Sequence, residues 1–325
     1  MRIARWESGG AAGEGFVVDD RVVPFPDGET VAGILAGGLD AARAAFARID
    51  ESGGTALADV RLLAPVVPAS VRDFVAFEEH VEGVSAGVEG KSHVADEWYE
   101  APTFYFTNPH TILGPGGTLR PPVTERLDFE LELAVVVGGE PGANLDPEAA
   151  ASRIFGYTIM NDWSARDLQG REMKVRLGPA KGKDFGTSLG PWIVTADELE
   201  QYLDAHGFLA IRAEVYVNGE LIGEDLVSNA GWPFPEFVAY ASRNTRVVPG
   251  DVLGSGTVGN GGCLGELWGR NGGLVPPPLQ EGDEVRMVVE GIGELVGTVG
   301  AAVPAPAVPH ARPRPRLRHR ETDAR

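Results

Sequence analysis

The chain has 325 residues, 43% hydrophobic and 23% charged, which is the balance of a globular protein with material for one large domain or two smaller ones. Its formal net charge of -19 argues against general nucleic-acid binding, and its single cysteine, Cys263, excludes a disulfide framework and a zinc site built from several cysteines. The first residues, MRIARWESGG, lack the apolar core of a signal peptide, and no run approaches about 20 apolar residues, so we expect a cytoplasmic protein without a membrane span.

Residues 1–65 are predicted to form a small amino-terminal α/β domain. Short strands are expected in RIARWE, GFVVDD and RVVPF. The segment ETVAGILAGGLDAARAAFARID has helical periodicity, and its apolar side comprises Ile34, Leu35, Leu39, Ala42, Phe46 and Ile49. The proline-containing APVVPAS then predicts a connector to the main domain.

Residues 66–305 are predicted to form the main, catalytic domain, in which strands dominate. Strands are expected in FYFTN, TILGPG, LDFELELAVVVG, PWIVT, VLGSGTV and DEVRMVVEGIGELVGTV, and Asn218-Gly219 predicts a two-residue hairpin turn. Helices are expected in DPEAAASRIF and WPFPEFVAYASRN. The fold class is therefore α+β and strand-dominated. Residues 306–325 are rich in Pro and Arg and are predicted to be a disordered tail.

Three acidic residues on two short segments indicate a metal site. In an extended strand, Glu130 and Glu132 of LDFELELAVVVG leave on the same face, and Asp162 in YTIMNDWSARDLQ can add a third oxygen. Carboxylates this close repel one another unless a cation or proton lies between them, and oxygen sites suit Mg²⁺, Mn²⁺ or Ca²⁺. The alternative is the solvated face of an antiparallel sheet. The apolar run AVVVG predicts a strand buried on both faces, which favours the metal site.

Further reactive side chains occur in neighbouring segments. Each has an ordinary interpretation, such as a core histidine, a solvated lysine or a glycine-rich turn. Their concentration in loops and near strand ends favours a functional site instead. Cys263 as a nucleophile is the weaker alternative, because no histidine lies near it in sequence. The candidates are Asp73, His80, Tyr105, Arg166, Gln169, Lys183, Thr257 and Glu266.

Four segments resemble the fumarylacetoacetate hydrolase family in order and spacing: LDFELELAVVVG, MNDWSARDLQ, GPAKGKDFGTSLGP and VLGSGTVG…GELW. The resemblance extends over about residues 66–300. It implies a mixed β-roll or sandwich-like catalytic domain, a homodimer, and a divalent metal held by carboxylates, for which Mg²⁺ is the first choice and Mn²⁺ or Ca²⁺ are alternatives. The implied ligands are Glu130, Glu132, Asp162 and, as in the fumarylacetoacetase branch, Asp73.

The same resemblance implies roles for the other candidates. His80 would be the general base that activates water, oriented by Glu266. Lys183, Arg166 and Gln169 would surround the substrate oxygens and the developing oxyanion, and Tyr105 and Thr257 would contact the substrate. The chemistry agrees, because a β-diketo acid can chelate a metal that stabilises the enolate formed when the C–C bond breaks. A neutral histidine can take a proton from water near neutral pH.

Three positions differ from the fumarylacetoacetase branch and leave the substrate open. Val75 and Met173 stand where that branch has tyrosines, and Lys91 is the candidate to replace an arginine. The leading prediction is metal-dependent hydrolysis of a C–C bond in an acylpyruvate-like β-diketo acid. The alternatives are decarboxylation or tautomerisation of a related oxo-acid, and a non-catalytic protein that binds a ligand or binds a partner through the arginine tail.

Overall fold

The computed structural model describes residues 1–50, 52–89 and 92–312. None of the helices in this part of the chain is long and apolar enough to cross a membrane. The α-helices are α1 (Val31–Phe46), α2 (Glu78–Glu89), α3 (Pro147–Ala151), α4 (Arg166–Met173), α5 (Ala196–Leu199), α6 (Phe234–Ser242) and α7 (Leu264–Asn271).

Strands provide most of the framework, as the sequence predicts. They are β1 (Arg2–Ser8), β2 (Ala11–Val18), β3 (Arg21–Pro24), β4 (Thr55–Ala56), β5 (Arg61–Leu63), β6 (Val71–Phe74), β7 (Phe104–Thr107), β8 (Ile112–Leu113), β9 (Gly117–Leu119), β10 (Leu127–Asp128), β11 (Leu131–Val137), β12 (Ile154–Asp162), β13 (Ser164–Ala165), β14 (Thr187–Thr195), β15 (Arg212–Val217), β16 (Glu220–Leu226), β17 (Val252–Gly254), β18 (Glu284–Val289) and β19 (Gly293–Val299).

The largest sheet places strands from distant parts of the chain side by side. Its order is β4-β3-β2-β1-β14-β12-β11-β17-β6-β7, with β5 beside β1 and β8 beside β14. A second sheet has the order β16-β15-β18-β19-β9, and β10 pairs with β13. The α+β, strand-dominated fold predicted from the sequence is confirmed.

Strand β11 is buried on both faces, which confirms the prediction from AVVVG. All seven of its residues are buried. Leu131 and Leu133 belong to a core that includes Val215 of the second sheet. On the opposite face, Ala134 and Val136 belong to a core that includes residues of α1. The strand therefore lies between two apolar layers, where any polar side chain that it carries is removed from water.

The amino-terminal strands continue the same large sheet. Strand β1 pairs with β14, with Arg2 opposite Val194 and Ile3 opposite Ile193. Ile3 also belongs to the same core as Ala134 and Val136 of β11. The division of the chain near residue 65 stays a prediction.

Local turn chemistry agrees with the sequence at the hairpin between β15 and β16. Asn218 and Gly219 have φ angles of 50° and 84°, which are the left-handed values that a tight hairpin turn requires. Residues 304–312 are outside regular secondary structure and exposed. The rest of the predicted tail lies outside the described residues.

Candidate functional site

Four carboxylates converge on one side of the central strands. Asp73 lies on β6, Glu132 on β11, and Asp162 at the end of β12, whereas Glu130 immediately precedes β11. Its position is fixed because its backbone N–H donates to Asn161 Oδ1 at 3.1 Å. One oxygen each of Asp73, Glu130 and Glu132 lies within 4.8 Å of the others. Asp162 is joined to Glu130 by Lys183, which donates to both, so the structure brings together all four predicted ligands.

Gly254 makes room for these carboxylates. It lies on β17, between β11 and β6, and is opposite Asp73 in the register. A Cβ atom at this position would lie 2.6 Å from Glu132 Oε2 and 3.1 Å from Asp73 Oδ1. The absence of a side chain on the intervening strand therefore lets acids from two non-adjacent strands approach each other.

The cluster has unpaired buried oxygens. All four carboxylates are at least 96% buried, the most exposed being Glu130 at 4%. Within the described residues, Asp73 Oδ1, Glu132 Oε1 and Asp162 Oδ1 have no hydrogen-bond partner. Unpaired buried carboxylate oxygens are costly, and an oxygen-preferring divalent cation would satisfy them. The residues present therefore fit the metal that the sequence predicts.

Burial and mutual repulsion govern the protonation of these acids. Burial, together with the neighbouring carboxylates, raises the pKa of Asp73 and of Glu132 well above the usual values. Burial also raises the pKa of Asp162, although the Lys183 ammonium opposes this effect. Part of the cluster consequently holds protons when no cation is bound.

Lys183 and Arg166 supply the positive charge nearest to the acids. Lys183 Nζ donates to Asp162 Oδ2 at 2.7 Å and also to Glu130. Arg166 Nη2 lies 2.7 Å from Glu130 Oε1. Burial would raise the pKa of Glu130, but these two cations outweigh it and hold the pKa below its usual range. The carboxylates in turn raise the pKa of Lys183 above its usual value despite its burial, so the amine stays charged.

Tyr105 connects two of the predicted ligands. It lies opposite Asp73 in the pairing of β6 with β7. Its hydroxyl is 2.8 Å from Asp73 Oδ2 and also contacts Asp162 Oδ2. Because a phenol has one proton, it can donate to one of these carboxylates at a time. The structure thus places Tyr105 against the acidic cluster itself, where the sequence suggested a substrate contact.

His80 lies on α2 beside the acidic cluster. Burial lowers its pKa to about 4, so the imidazole is neutral near pH 7 and can accept a proton. Its Nδ1 lies 3.6 Å from Cys263 Sγ, across 183 positions of sequence. A histidine therefore does lie beside Cys263 in space, although none is near it in sequence. Burial raises the pKa of the Cys263 thiol well above its usual value, which keeps it protonated and weakly nucleophilic.

Glu266 lies in the first turn of α7, fully buried. Its Oε1 accepts from the Gly261 N–H at 3.1 Å and pairs with Arg270 at 2.7 Å. Burial raises its pKa to about 7. Within the described residues, no hydrogen bond joins Glu266 to His80, so the proposed orienting contact stays a prediction. Glu266 nevertheless packs against α2, the helix that carries His80.

Asp128 is a site residue that the sequence argument missed. Its carboxylate accepts from the backbone N–H groups of Leu264 and Gly265, at 2.8 and 2.9 Å, and thereby caps the start of α7. The same side chain pairs with Arg166 at 2.7 Å. The alternation of Asp128, Glu130 and Glu132 along LDFELEL was the available signal, since all three leave the segment at even positions.

The remaining candidates lie at the edges of this arrangement. Gln169, on α4, accepts a hydrogen bond from Arg166 Nη1 at 3.2 Å. Thr257 is 2% exposed in the loop after β17. That loop also brings the Gly256 N–H to Glu132 Oε2, at 3.1 Å. Lys91 lies outside the described residues.

Comparison with known sequences identifies the family. The model of the fumarylacetoacetate (FAA) hydrolase C-terminal domain matches residues 69–300. The fumarylacetoacetase of Arabidopsis thaliana is 31% identical over 307 residues, covering 77% of this chain and 73% of that protein. The oxaloacetate tautomerase YisK of Bacillus subtilis is 28% identical over 247 residues, covering 75% and 74%. This chain belongs to the fumarylacetoacetate hydrolase family.

Solved structures agree with this assignment. The fumarylacetoacetate hydrolase of Exiguobacterium antarcticum superimposes with a TM-score of 0.71 at 27% identity, covering 93% of this chain and 99% of that chain. A 5-carboxymethyl-2-hydroxymuconate delta-isomerase of Mycobacterium smegmatis gives 0.66 at 27%, covering 93% and 100%. The family thus contains hydrolases, isomerases and tautomerases, and its enzymes generally depend on a divalent metal.

Proposed function

We propose that this protein is a metal-dependent hydrolase that cleaves a C–C bond in a small, acylpyruvate-like β-diketo acid. One observation carries the proposal: buried carboxylate oxygens that have no hydrogen-bond partner in the described part of the chain lie beside a neutral buried histidine and a charged buried lysine. Such a site combines a place for a cation, a proton acceptor and an oxyanion partner.

In this proposal Asp73, Glu130, Glu132 and Asp162 hold a divalent cation, with Mg²⁺ the first choice and Mn²⁺ or Ca²⁺ the alternatives. When bound, the cation supplies the positive charge that stabilises the enolate released by C–C cleavage. The Tyr105 hydroxyl keeps Asp73 and Asp162 in position. The oxygen-only donor set supports this class of cation.

His80 moves the proton in the proposed reaction. Its neutral imidazole takes a proton from water, and the resulting hydroxide adds to the keto carbonyl carbon. The C–C bond then breaks, its electron pair goes to the departing carbon, and that carbon receives a proton from the imidazolium. The enzyme returns to its starting state. One water is consumed, and the products are either two acids or one acid and one ketone.

The cationic side chains recognise oxygen in this proposal. Lys183 donates to the oxyanion that forms at the attacked carbonyl, and a fixed ammonium at that place favours the transition state. Arg166, steadied by Asp128 and Gln169, faces the substrate carboxylate. Thr257, near the same loops, provides a further substrate contact. Glu266 orients His80 after a change in its pairing with Arg270.

Decarboxylation or tautomerisation of a related oxo-acid, neither of which needs water attack, is the second candidate. The pairing of Glu266 Oε1 with Arg270, with no hydrogen bond from Glu266 to His80 in the described residues, favours it, because no carboxylate contact then orients a water-activating imidazole. The tautomerase and isomerase relatives agree with this alternative. A non-catalytic partner-binding role through residues 306–325 is the third. The family relation also leads us to propose a homodimer.

A substrate panel separates these functions. Acylpyruvates and related β-diketo acids are incubated with Mg²⁺ or Mn²⁺, or with EDTA, and loss of enol absorbance is followed while products are identified. Two carbon fragments formed only with metal would support hydrolysis. Release of CO₂, or enol–keto exchange with no fragments, would move the alternative ahead. Turnover unchanged by deletion of residues 306–325 would exclude the tail as the functional element.

A further inference from the structure

The single cysteine of the chain contacts the proposed catalytic base. Cys263 Sγ is 3.6 Å from His80 Nδ1. One oxygen of Glu130 lies within 4.8 Å of Cys263 Sγ and of a ring nitrogen of His80. All three side chains are buried, His80 being the most exposed at 8%. A sulfur from the residue before α7, a nitrogen from α2 and an oxygen from the residue before β11 thus lie close together.

The spacing of these atoms matches that of a zinc site. Zn–S and Zn–N bonds are about 2.3 and about 2.0–2.1 Å, so sulfur and nitrogen on a tetrahedral zinc lie about 3.6 Å apart. The observed distance from Cys263 Sγ to His80 Nδ1 has this value without any movement. The Glu130 oxygen, within 4.8 Å of the other two ligand atoms, would have to move closer to the ion from its pairing with Arg166 or Lys183, and the fourth position is left to water.

The chemistry of these donors differs from that of the acidic cluster. Asp73 and Glu132 offer oxygen alone, which suits Mg²⁺. His80 and Cys263 offer an imidazole and a thiol, which Mg²⁺ avoids and zinc prefers. Glu130 lies between the two groups and belongs to both. The oxygen donors on one side of Glu130 and the nitrogen and sulfur donors on the other therefore favour different ions.

We propose that His80, Cys263 and Glu130 form a second cation site, selective for zinc, whose occupation removes His80 from catalysis. Binding replaces the thiol proton, which leaves to solvent, and occupies the imidazole nitrogen nearest to Cys263. The binding site stands independently of the reaction. Only its inhibitory effect rests on the proposed function, in which His80 is the base.

Cobalt is the probe for this site, because a thiolate ligand gives Co²⁺ an intense near-ultraviolet charge-transfer band. The whole protein is saturated with Mg²⁺ to occupy the acidic cluster and is then titrated with Co²⁺. We expect one equivalent to produce the band and one equivalent of Zn²⁺ to remove it. Cys263→Ser should lack the band while keeping an oxygen that accepts from the Glu266 N–H, as Sγ does at 3.3 Å.

Glu132→Gln is the control for Cys263→Ser, since it alters the acidic cluster and leaves all three proposed zinc ligands intact. It should keep the cobalt band. Absence of the band from the unaltered protein, or its persistence in Cys263→Ser, would overturn the second site. With an active substrate, loss of the sulfur ligand should raise the zinc concentration for half-inhibition by at least about tenfold. If no substrate of the panel is turned over, the cobalt titration still tests the second cation site. Failure of the proposed hydrolase function is therefore distinguishable from failure of the proposed zinc site.

Discussion

Gly83 lies directly against Glu266 where α2 packs on α7. A Cβ atom at Gly83 would be 2.3 Å from Cγ of Glu266 and 3.2 Å from its Cα. His80 lies three positions earlier on the same helix, and therefore on the same face. The approach that brings the histidine helix onto the glutamate helix thus depends on a missing side chain.

Gly83→Ala should separate these two helices. We expect a loss of about 1–3 kcal/mol in the free energy of unfolding, because the added methyl group overpacks a contact with no free space. Turnover should fall as well, since His80 moves with α2. Gly170→Ala on α4 is the control: a Cβ there has no atom of the described residues within 4 Å, so stability should rise by about 0.5–1 kcal/mol. Equal stabilities for the two variants would show that α2 and α7 are not held at this distance. Chemical denaturation measures both.

Lys183→Met should remove the cation shared by two buried carboxylates, of which Glu130 keeps its pairing with Arg166. Glu130 and Asp162 lose the ammonium between them, which we expect to destabilise the metal-free protein by about 3–5 kcal/mol and to lower kcat sharply. Lys181→Met is the control, because Lys181 lies in the same loop with its side chain 75% exposed and pairs only with Asp184 among the described residues. Melting temperature and kcat should be nearly unchanged there. Similar losses in both variants would point to a loop effect.

Metal binding should release protons. In the metal-free protein burial and the neighbouring carboxylates raise the pKa values of Asp73 and Glu132 well above the usual carboxyl range, so the pair holds its protons to a higher pH than ordinary carboxyl groups do. A divalent cation among these oxygens favours their ionised forms and expels the protons. Calorimetric titration with Mg²⁺ in buffers of different ionisation enthalpy measures the number. Glu132→Gln should release fewer protons and bind Mg²⁺ more weakly. A heat of binding independent of the buffer would contradict the protonated cluster.

The buried His80 should make the fold sensitive to mild acid. Burial lowers its folded-state pKa to about 4 from an ordinary value of 6.5. Its contribution to stability is therefore complete above pH 6.5 and is lost as the pH falls to 4, because only the unfolded chain takes up the proton in this window. The loss is at most about 3 kcal/mol. Unfolding of the protein and of His80→Asn is compared between pH 7 and 4. The variant should show the shallower decline, and parallel curves would mean that His80 is not neutral in the fold.

The same variant also tests the proposed base. His80→Asn should lower kcat by about 10²–10⁴-fold, because the variant lacks the proposed general base. The affinity for Mg²⁺ should be retained, because His80 is not one of the four carboxylates of the acidic cluster. Unchanged turnover would assign the proton transfer to another residue.

Local pattern was sufficient to predict β11, which carries Glu132 and directly follows Glu130, because a period of two and an apolar run are properties of adjacent residues. The convergence of Asp73 on these acids needed the family resemblance, since it depends on the pairing of β6 with β17. The contact of Cys263 with His80 and the capping of α7 by Asp128 were not predicted. Both arise where helices and loops distant in sequence meet, and no periodicity within one segment reports on such contacts.

The pairing of β1 with β14 has a consequence for any shortened form of this enzyme. Removal of residues 1–65 would open the backbone of Ile193 and Val194 to solvent and uncover the apolar face of Ala134 and Val136. An open edge of this kind recruits strands from other molecules. The amino-terminal segment therefore covers an edge of the central sheet and prevents that edge from pairing with a strand of another molecule.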